Sequence, residues 1–170
     1  MKKISFRLIF LFILLVFLQV WLFGNIHLFG LATPLLYIYF LIKLPIDMNR
    51  NVVLGLSALL GFIIDIFSGT LGLTMFVMVI VGFLRYYLLK LFVPRDVFDD
   101  SMPSFSTLGK VMFIRYAGVI SFIHILLLYL LESFSLFTPW LLFLHIISSF
   151  TLTFLLIFAF ESVDIDVLKK

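Results

Sequence analysis

The amino-acid sequence predicts an all-α polytopic membrane protein with six transmembrane helices and both termini in the cytoplasm. Hydrophobic residues make up 64% of the 170 residues and charged residues only 12%, with a mean hydropathy of +1.29. The apolar residues form six continuous runs, unlike the alternating ten-residue strands of a membrane β-barrel. If these runs cross a membrane in turn, all twelve Lys and Arg residues fall on the same side of it, as expected for short cytoplasmic loops.

The predicted spans approach the roughly 20 helical residues that cross a bilayer core of about 30 Å. They cover residues 8–23, 31–46, 52–67, 71–92, 111–131 and 140–160. The first three are short, so their helices are expected to extend into flanking residues or to lie where the bilayer thins. No stretch remains for a soluble domain, and the whole chain is predicted to form one integral membrane domain.

The segments outside the spans are short. Lys2 and Lys3 precede an apolar run, as in a signal peptide, but residues 23–27 offer no small-x-small cleavage site, so an uncleaved first span is expected. The longest loop, residues 94–109, is predicted to be irregular and cytoplasmic, either a solvated linker or a docking site for a partner. The tail, residues 161–170, is expected to fray at the membrane surface.

The third predicted span carries a row of small and polar residues. Ser57, Gly61, Asp65 and Ser68 are spaced four, four and three apart, which places them on one helix face. Small residues there would let another helix approach closely, with Asp65 meeting a partner. Asp65 is also expected to cap the following turn or the next helix, and the functional alternative is that its carboxylate handles ions or protons.

Three further polar residues lie within the predicted spans. His124 and His145 lie towards the outer side, where their helix faces could bring both near Asp65. A proton relay and ordinary interhelical hydrogen bonds are the alternatives. Arg85 is expected either to snorkel to the cytoplasmic interface, as Arg115 would, or to pair with the acid of a partner.

The sequence offers little for catalysis. It has no Gly-x-Ser-x-Gly, His-Glu-x-x-His or phosphate-binding loop, and no pair of carboxylates within a span. Cysteine is absent, and no helix carries two histidines at ligand spacing, so no cofactor or metal is expected. The basic residues are spread over the span ends, which argues against nucleic-acid binding.

Two stretches of the chain carry a family resemblance. The residues concerned are Pro34, Pro45 and Arg50 around the second span, and Gly61, Asp65, Ser68, Gly69 and Gly72 from the second half of the third span to the start of the fourth. Over about residues 33–95 the chain resembles the rod shape-determining protein MreD family, whose members have a proline-started second span and a Gly-x-x-x-Asp-x-x-Ser-Gly turn. The Phe-rich composition and the loop at residues 93–96 are similar to versions from the Bacteroidetes lineage.

The resemblance implies a non-enzymatic component of the bacterial elongation machinery in the inner membrane. It implies MreC as a direct partner, with MreB, RodA and a class B penicillin-binding protein in the same complex. The family also shares a six-helix architecture with the substrate-binding component of energy-coupling-factor transporters.

That shared architecture makes a vitamin-type transporter subunit the alternative function. Such a subunit should enclose a cavity with convergent polar groups, and Asp65, His124 and His145 would be the candidates to line it. Its first span typically carries Ala or Gly spaced four apart, whereas residues 8–23 contain neither. The sequence therefore favours a scaffold that binds partner helices and membrane lipid.

Overall fold

A computed structural model describes residues 2–23, 33–70, 72–93, 102–133 and 139–168. Within these ranges the regular structure is helical: α1 Lys2–Leu18, a π-helical continuation Gln19–Phe23, α2 Ile38–Lys43, α3 Arg50–Ser68, α4 Leu73–Phe92, α5 Phe105–Leu108, α6 Lys110–Glu132 and α7 Pro139–Leu168. Four segments, namely α3, α4, α6 and residues 140–162 of α7, are long and apolar enough to cross a membrane. The predicted all-helical architecture is confirmed for the described residues, and these four segments are consistent with a membrane protein.

The long helices form a bundle with apolar outer faces. The most extensive contacts join α3 to α4, α4 to α6, and α6 to α7, while α1 packs on α2 and α3. Large hydrophobic side chains such as Ile13, Phe62, Phe76 and Phe143 are more than half exposed. Lipid satisfies such a surface, whereas a water-soluble monomer rarely exposes so much apolar area.

The second predicted span, residues 31–46, is not a continuous helix, and this part of the prediction is wrong. Residues 33–37 are irregular, and α2 is only six residues long, about 9 Å, too short to cross a bilayer. Pro45 ends α2, because a proline disfavours helical backbone at the preceding Leu44, whose ψ is 144°. Every residue from 34 to 46 is nevertheless buried. We refer to residues 33–46 as the core segment.

The other predicted spans differ from the structure mainly at their ends. The first predicted span corresponds to α1 and its π-helical continuation, whose apolar part covers residues 6–21. Helix α7 continues to Leu168, so the expectation that the tail frays is wrong for residues 161–168. Residues 31, 32 and 71 of the predicted spans lie outside the described residues, as do the predicted loop segments 24–30, 94–101 and 134–138.

The described end of the long loop is ordered rather than irregular. Ser104 and Thr107 form a capping box that starts α5, because each side chain binds the other residue's backbone N–H. Phe105 is buried against Phe113 and Phe158, with ring centroids 5.0 and 5.5 Å away. This loop end is therefore anchored to α6 and α7.

Candidate functional site

The buried polar side chains of the bundle converge on the core segment. An irregular backbone inside an apolar bundle must find hydrogen-bond partners, because water is absent there. Gln19 meets this need at the π-helical turn: its Nε2 donates to the carbonyl of Pro34 at 3.0 Å, and its Oε1 accepts from the N–H of Leu36 at 3.0 Å. One buried amide thus satisfies both kinds of backbone group.

Helix α7 supports the same stretch from the other side. The backbone N–H of Thr33 donates to Ser149 Oγ at 3.1 Å, and that of Leu35 to Thr153 Oγ1 at 3.0 Å. Ser149 and Thr153 are one helical turn apart, so they meet alternate residues of the extended backbone. The Tyr129 hydroxyl joins the group, 2.8 Å from Ser149 Oγ and 2.9 Å from Thr33 Oγ1.

Arg85 holds the other end of the core segment. Its Nε donates to the carbonyl of Leu41 at 2.9 Å, and its Nη2 donates to the carbonyls of Leu44 and Pro45, the latter at 3.3 Å. These carbonyls close the last turn of α2, where a cation is favoured by the helix dipole. Arg85 is only 2% exposed. The expectation that it snorkels to the interface is therefore wrong, because the broken helix supplies acceptors inside the bundle.

A buried ion pair lies at the same end of the bundle. Lys43 Nζ is 3.0 and 2.8 Å from the two carboxylate oxygens of Glu161 on α7. The carboxylate also accepts from the Tyr39 hydroxyl at 2.8 Å and from the backbone N–H of Phe105 at 3.1 Å. Glu161 therefore links α2, α7 and the start of α5.

Asp65 caps helix α4. Its Oδ1 accepts from the Thr70 hydroxyl and, at 2.9 Å, from the backbone N–H of Thr74, while its Oδ2 accepts from the N–H of Met75 at 2.8 Å. These N–H groups belong to the first turn of α4, which has no intrahelical acceptor for them. This geometry matches the capping interpretation of the sequence.

Glycines shape the turn that brings this cap into place. Gly69 and Gly72 have φ angles of 69° and 76°, in the left-handed region that side chains disfavour. Gly69 ends α3, and its backbone N–H donates to the carbonyl of Asp65. Ser68, the remaining polar member of the motif, is exposed. The motif residues thus build the reversal between α3 and α4.

The small-residue face of α3 packs against α4 of the same chain. A Cβ added to Gly61 would lie 2.5 Å from Met75 Cα, and one added to Gly82 would lie 2.7 Å from Ser57 Oγ. The two backbones can approach this closely because these positions carry no or small side chains. The expectation that another helix approaches this face closely is therefore confirmed, but the helix is α4 of the same chain, so the face is not open to a partner protein.

The two histidines occupy different surroundings. His124 Nε2 is 2.9 Å from the Tyr37 hydroxyl, and the two rings meet edge to face with their centroids 5.2 Å apart. This contact joins His124 on α6 to the core segment. The His145 ring instead packs on Tyr129, with centroids 5.8 Å apart.

Two cavities border the bundle, and apolar side chains line both. One is a groove of about 270 Å³ between α1 and α3, lined by Phe12, Ile13, Val16, Phe17, Val20, Trp21 and Phe67. The other is a narrow crevice beside α5, bordered by residues such as Phe113 and Phe154. Among the described residues, no three His, Asp or Glu side chains are placed to share a metal ion.

Comparison with known proteins adds no identification. Neither a protein-family model, a curated protein nor a solved structure matches the chain. The geometry of the core segment and the resemblance of the α3–α4 motif are therefore the basis for a functional proposal.

The sequence patterns did not assign several of these residues to a site. Gln19 is a lone amide in an apolar run, and Tyr39 does not fit an interfacial aromatic belt, so both carried a signal of buried hydrogen bonding. Lys43 and Glu161 looked like ordinary charges at span ends. Their pairing depends on a contact between residues 118 apart, which no local pattern reveals.

Proposed function

We propose that the protein is a non-enzymatic scaffold of the bacterial rod-shape complex, located in the inner membrane. In this role it binds MreC directly and helps to organise lateral peptidoglycan synthesis with MreB, RodA and a class B penicillin-binding protein. One observation carries the proposal: buried polar side chains such as Gln19, Arg85 and Glu161 bind the chain's own backbone and one another. The outer faces, which would meet other proteins, are apolar.

The MreD-like motif supports the proposal because its residue types have defined structural tasks. Gly61 permits the close approach of α4, Asp65 caps that helix, and Gly69 and Gly72 adopt left-handed backbone. A motif used in this way preserves an architecture rather than a reaction. The architecture in turn presents helix faces to the membrane.

The groove between α1 and α3 is the place where we expect a single-span partner such as MreC to bind. Its apolar lining, which includes Val16, Trp21 and Phe67, offers a concave surface for the side chains of another helix. Association of helices in lipid depends on van der Waals packing, so a concave apolar surface gains more contacts than a convex one. The transporter alternative required a cavity with convergent polar groups, whereas both cavities described above are lined by apolar residues.

The test is co-purification from native membranes in a mild detergent, with mass spectrometry of the recovered proteins. We expect MreC to accompany the wild-type chain, and Val16→Trp, which fills the groove, to reduce its recovery severalfold. Leu155→Trp is the matched control, because Leu155 is exposed on α7 away from the groove.

One result would contradict the proposed function, and another would contradict the groove as its binding surface. Recovery of a coupling subunit with paired ATPases, in place of MreC, would favour the transporter function. Equal MreC recovery with Val16→Trp and Leu155→Trp would retain the scaffold but exclude the groove as the binding surface.

A further inference from the structure

Two cations share an aromatic platform where α3 begins and α4 ends. The Arg50 guanidinium carbon lies 3.9 Å from the ring centroid of Phe83 and 5.6 Å from those of Tyr86 and Tyr87. Lys90 Nζ lies 4.4 Å from the centroid of Tyr86. We call these five residues the Arg50–Lys90 cluster. Cation–π contacts hold both charges in place without neutralising them.

No carboxylate among the residues that the structure describes pairs with either cation. Among the residues that the structure describes, the ion pair formed is that of Lys43 with Glu161, and neither Arg50 nor Lys90 takes part in one. The Nη2 atom of Arg50 is buried and donates no hydrogen bond within the protein. A desolvated guanidinium N–H without an acceptor is unfavourable, and an anion beside it would remove that penalty.

The surroundings of the cluster indicate what kind of anion fits. Four large side chains on α4 are spaced seven, four and four apart, which places them on one helix face running from the cluster into the apolar part of the bundle. They are Phe76, Phe83, Tyr87 and Leu91, which are 57%, 44%, 51% and 74% exposed. A ligand held at this position would have its charge beside Arg50 and an apolar stripe below it.

We propose that the Arg50–Lys90 cluster binds the phosphate group of an anionic phospholipid. A guanidinium with an N–H group that lacks an acceptor favours a phosphate oxygen as its partner, and the exposed Lys90 adds a second point charge. The acyl chains lie along the stripe that contains Phe83 and Phe76. Basic pockets between helix ends bind lipid headgroups in this way, and the positive-inside rule predicts that this end faces the cytoplasmic leaflet.

An acidic protein segment fits the cluster less well. It would satisfy the cations, but it would make no use of the apolar stripe that contains Phe83 and Tyr87. A phospholipid satisfies the charges and the stripe together. The proposal is independent of the scaffold function, because it uses neither the groove nor the core segment.

The experiment is native mass spectrometry of the purified full chain titrated with phosphatidylglycerol or with phosphatidylcholine. We expect the wild-type protein to retain phosphatidylglycerol in preference to phosphatidylcholine. The double variant Arg50→Gln/Lys90→Gln should bind phosphatidylglycerol about tenfold more weakly, the loss expected for a charge-assisted hydrogen bond. Lys110→Gln is the matched control, because it removes one exposed positive charge near the start of α6, outside the cluster.

Each remaining outcome has a defined meaning. Equal weakening by Lys110→Gln and by Lys90→Gln alone would overturn the site, because general surface charge would then explain binding. Equal retention of both lipids, or retention of an acidic peptide in their place, would overturn the anionic lipid as ligand. If the double variant is not folded by circular dichroism, Lys90→Gln carries the test, since its side chain is exposed and replaceable.

Discussion

Replacing Gly61 with alanine tests the closest contact of the bundle. The added Cβ would lie 2.5 Å from Met75 Cα and 2.8 Å from Met75 N, and both are backbone atoms that cannot rotate away. Helix α4 must therefore move outward by roughly 1 Å to reach ordinary contact. The same movement lengthens the hydrogen bonds from the N–H groups of Thr74 and Met75 to Asp65, because these residues face the added methyl group.

The magnitude follows from three contributions. Overpacking of a close contact costs about 1–3 kcal/mol. Weakening two hydrogen bonds inside a membrane protein adds about 0.6 kcal/mol for each. Removing glycine from a helix returns up to about 1 kcal/mol. Gly55→Ala in the same helix gains that last contribution alone, since nothing lies within 4 Å of its added Cβ. Gly61→Ala should therefore be less stable than Gly55→Ala by about 2–4 kcal/mol.

Equilibrium unfolding in mixed detergent–dodecyl sulfate micelles, followed by far-ultraviolet circular dichroism, measures this difference. Both variants carry the same chemical change in the same helix, so detergent and propensity effects cancel. We expect the unfolding midpoint of Gly61→Ala to move to lower dodecyl sulfate fractions, and that of Gly55→Ala to stay or rise. Coincident midpoints would refute the close approach of α3 and α4.

Three further predictions concern the buried polar contacts. Asp65→Asn should lower the free energy of unfolding by about 1–2 kcal/mol, because one amide oxygen cannot replace two carboxylate oxygens that accept from the start of α4. Arg85→Lys should lower it by about 1–3 kcal/mol, because a single ammonium group cannot donate to the separate carbonyls that the forked guanidinium reaches. Arg115→Lys, on an exposed face, should change little. Glu161→Gln should lower it by about 3–5 kcal/mol, because a neutral amide replaces the carboxylate that pairs with the buried Lys43 ammonium, and Lys43→Met in the same chain should recover part of the loss.

The same unfolding assay checks all three. An Asp65→Asn variant as stable as the wild type would show that the cap at α4 is dispensable. Equal effects of the substitutions at Arg85 and Arg115 would contradict the bridging role of the buried guanidinium. If Lys43→Met deepened the loss caused by Glu161→Gln, the ion pair would not be the source of the effect.

The sequence predicted the helices of the bundle because their signal is local. A run of about 20 apolar residues between polar turns describes α3, α4 and α6 almost to the residue. The cap by Asp65 was predictable for the same reason, since the carboxylate, the turn and the next helix start are neighbours in the chain.

The core segment was not predictable in this way. Residues 34–46 are apolar because they are buried in protein, and hydropathy cannot distinguish protein from lipid as the apolar surroundings. Pro45 indicated a break, but the groups that stabilise the broken backbone come from Gln19, Ser149 and Thr153. Arg85 was misjudged for the same reason: its acceptors exist only once α2 ends early inside the bundle.

The dependence of the core segment on α7 sets an order of events during synthesis. The N–H of Leu35 finds its acceptor on Thr153, 118 residues later in the chain. At about 5–20 residues per second, the ribosome needs roughly 6–24 s to supply that partner. Until then, the N–H of Leu35 lacks the acceptor that it has in the folded protein. A chain truncated before Ser149 should consequently remain a substrate for membrane quality-control proteases.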